Sequence, residues 1–326
     1  MNAHTQQSPQ FIQLHRIDDA ALAAEAAAGL LAPQARVAPK FFYDALGSRL
    51  FDAITELAEY YPTRTEAAIF TQHGAAIADA ALRCTGPAPV LVDLGAGNCA
   101  KAARLFAWLQ PQRYVAVDIS ADFLRQSLLQ LQREHAQLQL VGVGQDFSSQ
   151  LRLPLDVVGS RPALVFYPGS SIGNFAPADA LRLLRQMRDT AAGGALLIGV
   201  DLVKPKPLLD AAYDDDLGVT AAFNLNLLKN LNRLLQADFE VRQWQHVAGF
   251  DAAASCIRMH LQARHELVVR WPGAQRRFAA GERLHTEDSY KWTSDGFAAL
   301  LQDAGFQTLQ HWTDEQRWFA LFLASG

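Results

Sequence analysis

The chain has 326 residues, 50% of them apolar, with 29 basic and 33 acidic side chains and a formal net charge of −4. That apolar content suits one large core or two smaller ones. The charge balance argues against a nucleic-acid or membrane partner, and no apolar run reaches the roughly 18–20 residues that span a bilayer.

Residues 1–12 read as a flexible polar tail without the pattern of a signal peptide. Residues 17–31, DDAALAAEAAAGLLA, are helical by composition. The next stretch, KFFYDALGSRLFDAITELAEYYPTRTEAAIF, is dense in aromatics and helical in period. Pro62 breaks it, and Thr63 or Thr65 offers a cap for a following helix. From Val90 the pattern alternates. VLVDL runs into a glycine turn, NCAKAARLFAWLQ reads as a helix, RYVAVDIS as a strand and ADFLRQSLLQLQREH as a helix. LQLVGVGQDF, ALVFYPGSS and ALLIGVDLV supply three more strands. Such alternation implies right-handed βαβ units and a parallel sheet. After Lys204 it stops. Residues 205–235 are helical, 240–292 read mostly as strands, 295–307 as a helix, and WFALFLAS as a last strand. The chain is therefore α/β, with one nucleotide-type domain and a second domain built from the N-terminal segment and an insertion. Cys84, Cys99 and Cys256 have no paired spacing, so neither a disulfide framework nor a zinc cluster is indicated. A cytoplasmic monomer without a metal is expected.

Asp93-Leu94-Gly95-Ala96-Gly97-Asn98-Cys99-Ala100 follows the first strand of the alternating region. Its glycines permit a tight turn and close approach of a ligand. Asp118 ends the next strand, about 20 residues on, where a carboxylate can accept from both hydroxyls of a ribose. This much also fits a dinucleotide enzyme. Asp93 directly before the glycines, and Gly144-Gln145-Asp146-Phe147 at the end of the third strand, favour S-adenosylmethionine. Asp146 and Phe147 would there meet the adenine. Lys101, one turn into the following helix, either reaches the methionyl carboxylate or is a solvated helix lysine.

Tyr167-Pro168-Gly169-Ser170-Ser171-Ile172-Gly173-Asn174 forms a second small-residue loop after a strand. It suits a compact polar ligand such as an amino acid. Asn174 offers a donor and an acceptor; the alternative is a helix cap. In TEDSYK, alternation puts Thr286, Asp288 and Tyr290 on one strand face and Glu287, Ser289 and Lys291 on the other. Successive residues of a helix fan around it, so Asp214-Asp215-Asp216 reads as a solvated face or a helix start and not as a metal site.

The stretches PKFFYDALGSRLFD, EYYPTRTEA, VDLGAG, GSSIGNF, GVDLVK, AAYDDDLGVTAAFNLN, IRMHL, TEDSYKW and WTDEQRWFALFL together resemble the histidine Nα-methyltransferases of ergothioneine biosynthesis, from about Pro39 to Leu323. Two positions depart from the form expected of close relatives: the loop Gly95 to Ala100 is poor in serine and threonine, and Tyr167-Pro168 precedes Gly169. The resemblance implies a Rossmann-type S-adenosylmethionine methyltransferase domain (65–203 and 293–326) and a smaller α+β substrate-binding domain (13–64 and 204–292). It implies transfer of three methyl groups from S-adenosylmethionine to the α-nitrogen of L-histidine, giving hercynine. Asn174 and Tyr213 then hold the substrate carboxylate and amine, Gly169 lines the same pocket, and Tyr43 and Tyr60 surround the amino group. Glu287 and Ser289 read the imidazole and Met259 packs beside it. Gly95, Gly97, Lys101, Asp118, Asp146 and Phe147 take the cofactor. No histidine or lysine in these motifs is read as a dedicated base, so Tyr43, Tyr60 and water are expected to carry protons away. The alternatives are methylation of another amino acid such as tryptophan, a non-catalytic S-adenosylmethionine-binding protein, and a nicotinamide-dependent oxidoreductase.

Overall fold

A computed structural model describes residues 8–14, 19–148 and 150–326. Residues 1–7 of the expected tail lie outside the described residues. In chain order the strands are β1 (Gln10–Gln13), β2 (Val90–Leu94), β3 (Arg113–Asp118), β4 (Gln139–Gly144), β5 (Ala163–Tyr167), β6 (Ala195–Asp201), β7 (Trp244–Asp251), β8 (Cys256–Ala263), β9 (Leu267–Trp271), β10 (Ala274–Phe278), β11 (Arg283–Tyr290), β12 (Thr308–Thr313) and β13 (Phe319–Ser325). The chain divides into two compact units. One contains β1, Arg64–Leu202 and Trp292–Gly326; the other contains the segment ending at Thr63 and Val203–Lys291.

The first unit is built on an eight-stranded sheet of order β1-β4-β3-β2-β5-β6-β13-β12. Strands β1 to β6 pair in parallel, whereas β13 runs antiparallel to both β6 and β12. The strand order reverses between β2 and β3 on one side and β5 on the other, which is where open α/β sheets bind ligands at the carboxyl ends of their strands. Strands β2, β5 and β6 are buried along their whole length, as expected of a sheet covered on both faces. One core layer gathers Val92, Val115, Val165, Leu184, Met187 and Phe297; the other gathers Ile69, Ile77, Leu91, Tyr114, Phe166 and Leu321.

The second unit holds the antiparallel sheet β11-β8-β7 and the hairpin β9–β10. Helices Lys206–Tyr213 and Val219–Leu235 belong to it. The latter buries Phe223, Leu227, Leu228 and Leu231, and also Asn224, Asn226 and Asn230. Two of these amides bind the N-terminal segment: Asn226 Nδ2 donates to Asp44 Oδ1 at 2.8 Å, and Asn230 Nδ2 to the Phe41 carbonyl at 2.7 Å.

Four local readings need correction. Gln10–Phe11-Ile12-Gln13 is not tail but an edge strand on β4, because Phe11 and Ile12 find apolar partners there. The helix read over NCAKAARLFAWLQ is two single turns, Ala100–Ala103 and Phe106–Leu109. Pro62 does not break a helix: it sits in the first turn of Tyr61–Thr85, where its missing N–H costs nothing, so Thr63 and Thr65 lie inside that helix. Thr286 and Glu287 are both buried, because a bulge between His285 and Glu287 interrupts the alternation of β11.

Candidate active site

The predicted residues fall into two groups, one in each unit. In the first unit, the loop after β2 turns through Gly95 and Gly97 with φ of +69° and +52°, a region that favours glycine. The Gly97 N–H donates to Asp118 Oδ2 at 2.9 Å and the Ser120 N–H to Oδ1 at 2.8 Å. Each carboxylate oxygen keeps further acceptor capacity. Burial pushes the Asp118 carboxyl up, and the backbone donors of Ser120, Gly97 and Ile119 work against that rise. Phe147 faces the loop: a Cβ added to Gly95 would meet only its ring tip, at 4.0 Å. Asp146 accepts from the backbone N–H of Ser148 at 3.0 Å. Glycines with open space above them, a carboxylate at the next strand end and a ring beside the loop fit the adenosyl group of S-adenosylmethionine.

Lys101 keeps a partly exposed side chain but is paired with a buried carboxylate. Its Nζ lies 2.7 Å from Glu66 Oε2, and Glu66 is only 2% exposed. The other oxygen of Glu66 accepts from the Gly169 N–H at 2.7 Å. Gly169 has φ of +77°, and a Cβ there would lie 2.9 Å from Lys101 Nζ. One carboxylate therefore ties the first glycine loop's helix to the second glycine loop. Sequence reasoning missed Glu66. Its signal was a charge in phase with Ile69 and Phe70 on the buried stripe of a helix. Ser170 Oγ accepts from the Asp201 N–H at 2.8 Å, which holds the second loop against β6. Asn174 ends a short 3₁₀ turn after it. The cap of the next helix is Ala176, without a side-chain bond, so Asn174 is not a helix cap. Among the described residues no group bonds to its amide.

Asp93, ahead of the loop, is buried and accepts from the Tyr114 hydroxyl at 2.7 Å. Burial raises its carboxyl to about 7, against the pull of that hydroxyl. Cys99 is buried in the core, and burial likewise pushes its thiol up to about 12, as suits a packing residue.

The second unit brings Tyr43, Tyr60, Tyr213, Met259, Glu287 and Ser289 together. Tyr43 packs edge-on against Phe51 at 5.9 Å, Phe51 against Tyr60 at 6.3 Å, and Tyr60 against Tyr213 at 6.4 Å between ring centroids. Met259 on β8 is the cross-strand partner of Glu287 on β11. Glu287 is 8% exposed, and no hydrogen-bond donor among the described residues reaches its carboxylate. Burial raises its carboxyl to about 7; the Lys291 charge pulls it down and Asp288 pushes it up. The Tyr213 and Ser289 hydroxyls are 2.8 Å apart. Lys291 Nζ donates to both, at 2.9 and 2.8 Å. Tyr213, matched to the carboxylate end of the substrate, thus touches Ser289, matched to the imidazole end, while Asn174 falls in the other unit. Lys291 was placed on the Glu287 face by alternation and given no role. Asp215 accepts from Val219 and Thr220 at 2.9 and 2.7 Å, so the acidic run starts a helix. No metal cluster occurs among the described residues.

A family model described as histidine-specific methyltransferase, SAM-dependent, matches residues 22–326. The chain belongs to this family. Among its relatives, the histidine N-alpha-methyltransferase of Mycolicibacterium smegmatis is 40% identical, over 93% of this chain and 94% of that protein. That of Mycobacterium tuberculosis is 39% identical, over 94% and 95%. Ergothioneine biosynthesis protein 1 of Neurospora crassa is 27% identical over 83% of this chain but only 31% of its own length. As a histidine-specific methyltransferase the chain is an S-adenosylmethionine-dependent enzyme, which removes the nicotinamide and non-catalytic alternatives. Among the described residues no helix is long and apolar enough to cross a membrane.

Proposed function

We propose that the chain transfers three methyl groups to the α-nitrogen of L-histidine, giving hercynine for ergothioneine biosynthesis, and works as a cytoplasmic monomer. The methyltransferase role belongs to the unit with the large sheet and substrate recognition to the unit with the smaller one. The observation that supports histidine most is Glu287: a buried carboxylate without a donor costs free energy unless a ligand N–H fills the vacancy. Imidazole brings that N–H, and Ser289 stands two residues along the same strand face to meet its other nitrogen.

S-adenosylmethionine supplies a methyl group already activated on a sulfonium sulfur. The residues proposed to hold it are Gly95, Gly97, Asp118, Asp146, Phe147 and Lys101. The protein's remaining task is alignment of a neutral amine. In the large-sheet unit Asn174, beside Gly169, takes the carboxylate; in the other unit Tyr213 accepts from the amine, Glu287 and Ser289 fix the ring, and Met259 packs against it. Each cycle removes one N–H from the amine, so anchors at the two ends must carry the orientation. The faces of Tyr43 and Tyr60 tolerate a growing methylammonium through cation–π attraction, about 0.5–2 kcal/mol. Their hydroxyls, with water, take the protons released. Calorimetric titration of L-histidine and L-tryptophan side by side tests the substrate. Histidine is expected to bind at least tenfold more tightly, and preferential binding of tryptophan refutes the reading.

A further inference from the structure

Lys291 is buried to 3% exposure, a rare state for a lysine without partners. Its partners are the Tyr213 and Ser289 hydroxyls, which also bond to each other, so three polar atoms form a closed triangle with edges of 2.8 to 2.9 Å. An ammonium has no lone pair, so both of its edges are donations from Lys291. The third edge takes one hydroxyl proton. Phenol, with a pKa near 10, is a far stronger acid than an aliphatic alcohol, so Tyr213 donates and Ser289 accepts. Ser289 Oγ then receives from Lys291 and from Tyr213. A hydroxyl oxygen has two acceptor sites and one proton. Both sites are filled, and the Ser289 proton is left to point out of the triangle.

We infer that Lys291 determines specificity by making Ser289 an obligate donor, so that Glu287 as acceptor and Ser289 as donor together select a neutral imidazole in one tautomer. The inference rests on the proposed reading that these two residues hold the ring. An imidazolium presents two N–H groups and leaves Ser289 facing a like donor. A pyrrole ring presents one N–H and no acceptor, so it strands the Ser289 proton in a dry site, an expensive arrangement. Without Lys291, Ser289 recovers an empty acceptor site and can turn to suit either ring.

The test is calorimetric titration, in the presence of S-adenosylhomocysteine, of L-histidine and of β-(pyrrol-2-yl)-L-alanine, which keeps the ring N–H but lacks the acceptor nitrogen. Wild-type protein is expected to prefer histidine by about 10–100-fold. Lys291→Met should reduce that preference to a few-fold. Ser289→Ala should reduce it as well, and adding Lys291→Met to Ser289→Ala should change the ratio no further. A lysine that only held the fold together would weaken both ligands by one factor. An unchanged ratio in Lys291→Met, or independent losses in the double variant, would overturn the inference. If Lys291→Met does not melt cooperatively, Ser289→Ala carries the test alone, and an undiminished preference there overturns it. Wild-type protein that binds neither ligand would instead sink the histidine reading itself.

Discussion

Glu287 faces opposed demands from stability and from binding. Burial raises its carboxyl from the ordinary 4.5 to about 7. A folded-state value above the unfolded one means that the protonated form is favoured by folding. That contribution is complete below about pH 4.5 and is lost as pH rises through 7. Glu287→Gln should therefore melt at a higher temperature than wild type, with a stability gap that widens by roughly 2 kcal/mol between pH 5 and pH 8. Thermal melts at the two pH values check this; a gap that shrinks would show that the carboxylate is not strained. Binding needs the ionised acceptor, so kcat/KM for histidine should climb through pH 7 in wild type and lose that limb in Glu287→Gln. Glu287→Ala with Met259→Val trades a carboxylate and a long side chain for apolar space, and should cost histidine about tenfold or more in kcat/KM while admitting tryptophan. At this scale the strand alternation made Glu287, Ser289 and Lys291 legible as neighbours. The bulge at Thr286 was not, because one inserted residue leaves no mark in a period-2 pattern. Glu66 was missed because its partners, Lys101 and Gly169, lie 35 and 103 residues away in sequence.

The elements near the two glycine loops carry strain and caps that make them sensitive. Gly169→Ala puts a Cβ against Lys101 Nζ at a φ of +77°. It should cost about 1–3 kcal/mol of stability and weaken S-adenosylhomocysteine binding, which calorimetry on the folded variant would measure; unaltered affinity would separate Gly169 from the Lys101 node. Asp215→Ala removes both side-chain bonds at the start of Val219–Leu235 and should lower stability by about 1–2 kcal/mol, seen as a lower midpoint in urea. The main sheet was legible because β2, β5 and β6 are largely apolar runs and the first two lead into glycine loops. Strand β12 was not, since Thr308, Gln310 and His311 are exposed and give no apolar alternation. The helix after the first glycine loop was overestimated: Ala-rich composition favours helix, but Leu105 and Phe106 turn into the core and divide it.

On the scale of the molecule, the chain forms two units from interleaved segments. The switch at Lys204 from βαβ alternation to helices and antiparallel strands was visible in the sequence, because a period-2 pattern without intervening helices cannot build parallel crossovers. The pairing of an N-terminal segment with a distant insertion was read from where that alternation begins, at Val90, and where it stops, at Lys204; the resemblance to one family covers both segments. The most direct measurement is mass spectrometry of L-histidine incubated with S-adenosylmethionine and the pure protein, with fragmentation to locate the added carbons. Three successive methyl additions, all on the α-nitrogen, are expected. Methyl groups on the imidazole ring, or no product from histidine while tryptophan is methylated, would contradict the account.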